Sequence, residues 1–175
     1  GRSFRGLRSP VLTRHMAHMG GVAVLTRKFL SVIPVAGSHR QGCMWKGPSS
    51  SSWLTGAFVR IRSSTILVLS GYARGGVRSE DGRELWQQTM DITQAGAMPF
   101  ILLADFNSTP EEVSQAGWCS DLKAYTLASG LTTGVSREID FALVSVSLRP
   151  AVAGVQAALG PYKPHSCLRV GLFRG

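Results

Sequence analysis

A helix-spaced segment held between two strand-sized apolar runs constrains this chain more than any other feature. Residues 64–72 (STILVLSGY) and 99–104 (PFILLA) are apolar, β-rich stretches of strand length. Between them, residues 79–94 (SEDGRELWQQTMDITQ) open on acidic residues and space Leu85, Met90 and either Trp86 or Ile92 near a helical period, with Gly96 expected to close the helix. Strand, helix, strand is a crossover unit, and it leaves the acid-bearing turn 105–109 at the end of the second strand. Enzymes with α/β and α+β folds place their chemistry on such turns.

The flanking sequence adds more strands. Residues 20–27 (GGVAVLTR) read as a buried strand, which residues 29–35 extend or neighbour. The Gly, Pro and Ser density of residues 38–52 predicts an exposed loop. Residues 53–62 alternate, with Thr55, Ala57, Val59 and Ile61 on one side, and form a strand adjacent to 64–72. Thr109, Pro110, Glu111 and Glu112 make a helix start running to about Ala116, with threonine as cap, proline in the first turn and carboxylates at the positive end of the dipole. Residues 139–146 and 151–159 read as strands joined by a turn at Arg149 and Pro150. Residues 167–173 form a last strand after a turn at 161–164.

A chain of 175 residues, 44% hydrophobic, suits one compact domain. No apolar run approaches the roughly 18–20 residues that a membrane-spanning helix needs. Cys43, Cys119 and Cys167 are odd in number and carry no Cys-x-x-Cys, which argues against a disulfide framework or zinc knuckle and favours a reducing intracellular compartment. The Arg-rich, acid-free start, residues 1–14, has the composition of a transit peptide or of a fragment of a longer chain, the latter being the favoured reading. His15 and His18 form an H-x-x-H without a third ligand nearby, so no metal is assigned to them.

The net charge is +9, and its distribution is lopsided: all ten acidic residues lie at or after Glu80, while twelve Lys and Arg precede it. Such an uncompensated basic half attracts polyanions through counterion release and steering, which makes nucleic acid the leading partner and an anionic membrane surface the second.

Four short signals occur in order: Tyr72 at a strand end, ADFN at 104–107, REIDFALVS at 137–145, and KPHS at 163–166. Their order and placement resemble the endonuclease/exonuclease/phosphatase superfamily, including the apurinic-site and retrotransposon-type endonucleases, over residues 20–173. The resemblance implies an α+β fold: a two-sheet β-sandwich flanked by helices in four layers, here missing its first strands. Residues 1–19 would be an unassigned basic segment, and 20–175 a domain holding the C-terminal two-thirds of the family fold. An upstream polypeptide or a partner would then cover the exposed sheet edge.

By the same resemblance, Asp105 positions or activates the attacking water and is the metal ligand, with Mg2+ or Mn2+ as the cation. Asn107 donates to the phosphate, Asp140 and His165 form a carboxylate–imidazole pair, and Tyr72 sets a phenol near the phosphate. Read without the resemblance, Asp105 and Asn107 form an Asx-turn capping the next helix, Asp140 pairs with Arg137, His165 sits in an exposed loop, and Tyr72 packs beneath one. The family's metal-binding glutamate has no counterpart, since no carboxylate precedes Glu80; its first-strand asparagine is not supplied either, and Pro164 stands where the family has an acid. The expectation is therefore a divalent-metal phosphodiester hydrolase acting on nucleic acid, with weak turnover. A catalytically inactive remnant binding nucleic acid electrostatically and a phosphoinositide-type phosphatase are the alternatives.

Overall fold

The computed structural model describes residues 4–8, 23–27, 31–35, 44–45, 53–61, 63–94, 96–130, 137–158, 165 and 167–173. The chain is mixed α+β. Its elements are β1 (Phe4–Arg8), β2 (Ala23–Arg27), β3 (Ser31–Pro34), β4 (Met44–Trp45), β5 (Trp53–Ile61), β6 (Ser64–Tyr72), α1 (Glu80–Thr93), β7 (Phe100–Asp105), α2 (Pro110–Gln115), α3 (Trp118–Asp121), β8 (Ala124–Leu127), β9 (Asp140–Ser145), a 3-10 turn (Val146–Ala151), β10 (Val152–Ala158) and β11 (Cys167–Leu172).

One central sheet runs β3-β5-β6-β7-β9-β8, with the two-residue β4 also pairing with β5. The crossover through α1 makes β6 and β7 parallel, in register from Leu67↔Phe100 to Tyr72↔Asp105. β9 returns antiparallel to β7, from Ile101↔Val144 to Asp105↔Asp140. The last residues of β6 and β7 and the first of β9 therefore share one end of the sheet.

α1 and α2 form where the sequence places them. Ser79 caps α1 by accepting from the Gly82 N–H at 3.0 Å, and Glu80 and Asp81 face the positive end of the dipole. α1 ends not at Gly96 but at Gln94, which adopts the left-handed conformation (φ 52°). Gly96 answers a different demand: a Cβ there would come within 2.0 Å of the Leu122 carbonyl oxygen, so the close approach of another loop requires the glycine. α2 carries the reciprocal cap of Thr109 and Glu112, with the Thr109 N–H donating to Glu112 at 2.8 Å and the Glu112 N–H donating to Thr109 Oγ1 at 3.3 Å.

Other elements depart from the expectation. The turn at Arg149 and Pro150 is a 3-10 helix, Val146–Ala151, which swings β10 out of the central sheet into a separate antiparallel ribbon with β11. β4 interrupts the expected 38–52 loop, and the rest of that loop lies outside the described residues. So do His15, His18 and the 161–164 turn. β1, inside the segment left unassigned, pairs with β2 from Phe4↔Arg27 to Arg8↔Ala23. Among the described residues, the strands outside the central sheet form two two-stranded ribbons in place of one continuous second sheet.

Strand alternation sorts the central sheet into two faces. On the face covered by the helices, Leu67, Leu69, Phe100, Leu102, Phe106, Phe141 and Leu143 pack with Leu85, Val113, Trp118 and Leu122. On the other, Ile66, Ile101, Ala142, Val144 and Leu148 are buried, with Val152, Val170 and Leu172 of the β10–β11 region against them.

Candidate active site

The alternation that sets the core also sets the site. Along β7, Phe100, Leu102 and Ala104 face the helices while Ile101 faces the other way, so Asp105, two residues past the half-buried Leu103, emerges on the ribbon face. Along β9, Phe141 and Leu143 face the helices, and Asp140 emerges opposite them. Asp105 and Asp140 are cross-strand partners, and directly opposed residues extend to the same face. Tyr72, partner of Asp105 on β6, is next in the row.

His165 comes from the ribbon side, two residues before β11. Its Nδ1 lies 2.9 Å and 3.1 Å from the two carboxylate oxygens of Asp140. Ligand atoms of Asp105, Asp140 and His165 all lie within 4.8 Å of one another. The sheet thus brings together three residues spread across 61 positions of sequence (165 − 105 + 1). Asp140 pairs with the imidazole.

The turn after β7 is held from three sides. The Asn107 N–H donates to Asp105 Oδ1 at 3.0 Å, making the Asx-turn, and Asn107 takes φ 45°, a left-handed conformation its short polar side chain tolerates. Its Nδ2 donates to the Ala73 carbonyl at 3.3 Å, while the Ala73 N–H donates to the Asp105 carbonyl at 2.9 Å and the Phe106 N–H to that of Ile139 at 2.8 Å. The cap of α2 is Thr109 and not Asn107. Gly76, at φ 90°, sits so close that a Cβ would meet Ser108 Oγ at 2.8 Å, and the neighbouring Val77 N–H donates to that same oxygen at 3.1 Å. Beneath the carboxylates, Phe106 stacks on Phe141 (centroids 4.4 Å, 23°) and meets Trp118 edge-on (5.7 Å, 84°).

The electrostatics follow from this geometry. Burial pushes the Asp105 carboxyl above its ordinary value and the charge of Asp140 adds to this, against the opposing Asn107 N–H and His165. The His165 imidazole is raised, chiefly by its hydrogen bond to Asp140, with burial opposing and the charges of Asp140 and Asp105 adding. A carboxyl inclined to hold a proton thus stands beside an imidazole inclined to keep one. Two carboxylates and an imidazole in reach of a common point are donor types that bind divalent cations.

Sequence reasoning did not anticipate the rings under the site. The Phe following each aspartate, in ADFN and IDF, was the available signal, since alternation sends each such pair to opposite faces. Trp118 carried none, because α3 is too short to show a period.

The profile of the endonuclease/exonuclease/phosphatase family matches residues 6–170. No curated protein matches the chain by sequence. Among solved structures, the endonuclease domain of TRAS1, a telomere-specific non-LTR retrotransposon, superposes with a TM-score of 0.71 at 13% identity, covering 98% of this chain and 81% of that one. The human Nocturnin catalytic domain superposes at 0.59 with 17% identity, covering 95% and 72%. The 3′ phosphatase NExo from Neisseria, bound to a product DNA hairpin, superposes at 0.57 with 16% identity, covering 98% and 80%. At these identities the likenesses speak to the fold, which they share with a family profile spanning nearly the whole sequence. The chain belongs to the endonuclease/exonuclease/phosphatase family.

Proposed function

We propose that this protein is a divalent-metal-dependent phosphodiester hydrolase acting on nucleic acid. The observation that carries the reading is the cluster at the sheet end, where Asp105 and Asp140 oppose each other on adjacent strands and His165 is bonded to Asp140. The basic residues 1–79, free of any carboxylate, favour a polyanionic substrate. The TRAS1 endonuclease domain and the DNA-bound Neisseria phosphatase suggest the same substrate class.

In this reading Asp105 accepts the proton of the attacking water, a role suited to a carboxyl whose burial raises its basicity. Asp140 holds the His165 ring by Nδ1 and sustains its positive charge, which leaves Nε2 to face charge developing on the phosphate. The second amide hydrogen of Asn107 serves a phosphate oxygen, the first being given to Ala73. Tyr72 offers its phenol from the adjacent strand end. Asp105, with Asp140 beside it, would hold Mg2+ or Mn2+, a cation that would supply positive charge against the phosphate and a more acidic water.

A second reading, a catalytically inactive protein that binds nucleic acid electrostatically, is favoured by the ligand count. A hard cation gains affinity from each carboxylate, and the cluster supplies two. Incubation with supercoiled plasmid and Mg2+ or Mn2+ separates the readings. Nicking by the wild type should fall about 10²–10⁴-fold in Asp105→Ala and in His165→Ala. Nicking that persists in both variants removes these site residues from the reaction. Salt-sensitive binding without nicking supports the inactive reading, and release of phosphate from a phosphoinositide with DNA left intact would point to a lipid headgroup as substrate.

A further inference from the structure

Behind the loop that carries Asn107's partner Ala73 lies a cavity of about 710 Å³, between the start of α1 and the α2–α3 turn. That volume falls in the range of small-molecule sites, roughly 300–1,000 Å³. It is separate from the carboxylate cluster, whose residues do not line it. Its lining combines two chemistries. Arg78 and Arg83 stand exposed at it, tied together by a hydrogen bond from the Arg83 guanidinium to the Arg78 carbonyl at 3.3 Å, and among the residues that line it the carboxylate is Asp121. Trp86 and Trp118 supply ring walls, and Gln115 an amide.

Trp86 is half-buried, and its indole N–H is fully buried with no acceptor among the described residues. A buried donor without a partner is costly, and a small ring movement that presents it to a ligand would break no protein hydrogen bond. Guanidinium pairs recognise phosphate, and aromatic rings stack on planar bases. An apolar lipid chain finds too many donors here, and a bare phosphate leaves the rings unused. A paired base presents no free face to Trp86.

We propose that this cavity binds one unpaired nucleotide, its phosphate on Arg78 and Arg83 and its base against Trp86, as a second site beside the catalytic cluster. The nucleotide comes either as a free nucleoside monophosphate or as an unpaired residue of a single strand. Trp118 lines the cavity and touches Phe106, so an occupied site lies one ring away from the residue following Asp105.

The test is a titration in EDTA, where hydrolysis is silent, so that failure of the hydrolase reading leaves it unaffected. AMP, adenosine, a single-stranded oligonucleotide and a duplex of equal length are titrated by calorimetry into wild type, Arg83→Ala and Trp86→Phe, with circular dichroism verifying that each is folded. Arg83→Ala should weaken AMP or single-strand binding about tenfold, equivalent to about 1.4 kcal/mol, and Trp86→Phe by less. Binding of AMP identifies a free nucleotide as ligand, and binding of the single strand alone identifies an unpaired residue within a chain. If neither binds, if the variants weaken the duplex as much as the single strand, or if both variants bind as the wild type does, the proposal is overturned.

Discussion

The two faces of the central sheet are built from alternate residues of the same strands, yet they do opposite work. The helical face is closed: Phe100, Phe106, Phe141, Leu102 and Leu143 are fully buried under α1, α2 and α3. The ribbon face is apolar at its middle, through Ile101 and Val144, and turns polar at its end, where Asp105, Asp140 and Tyr72 emerge half-buried. One face stores packing energy, and the other spends part of it by holding two like charges across adjacent strands. Each of these two aspartates is followed by a phenylalanine, so the packed rings and the carboxylate pair hang on neighbouring backbone positions.

That contrast can be broken most forcefully from the closed side. Phe141→Ala removes a fully buried ring and its stack on Phe106, and should cost about 3–5 kcal/mol in urea unfolding. A loss under about 1 kcal/mol would mean that the rings do not brace the strand end.

The open side should respond in the opposite direction. The folded state raises the Asp105 pKa above its ordinary 3.8, so it binds more protons than the unfolded chain between that value and the raised one. Stability is therefore lost as pH rises through this window and stays lower above it. Asp105→Asn keeps the Oδ1 acceptor for the Asn107 N–H and removes the charge. In metal-free buffer at pH 7 it should raise the Tm by a few degrees. The gain should shrink as pH falls toward 3.8. An unchanged or lower Tm at pH 7 would show that the carboxylate pair is not a strained feature.

The smallest effect sharpens the division of labour. Thr109→Ala deletes half of the reciprocal cap on α2 and should cost about 1 kcal/mol while leaving the affinity for Mn2+, measured by calorimetry, unchanged. A coupled loss of metal affinity would show that the helix cap also sets the Asp105 turn.

Much of this was legible along the chain. The β6–α1–β7 crossover, the Thr109 cap and the strand ends bearing Asp105 and Asp140 follow from local spacing and capping chemistry, which act over a few residues. The 3-10 turn at 146–151, the four-residue α3 and β8, and the two-residue β4 were not, because each is shorter than the window in which a period can be recognised. Gly96 was legible as a glycine but misread in purpose, since the Leu122 carbonyl that demands it is distant in sequence.

By itself, then, the sequence determined which residues sit at strand ends and that every carboxylate falls after residue 79, since periodicity and composition need no partner. Only the tertiary structure decided that Asp105 faces Asp140, that His165 crosses from the ribbon to bond it, and that Trp86 and Trp118 wall one cavity with two arginines. Register and sheet packing bring together residues remote in the chain, and no local pattern encodes such a distance.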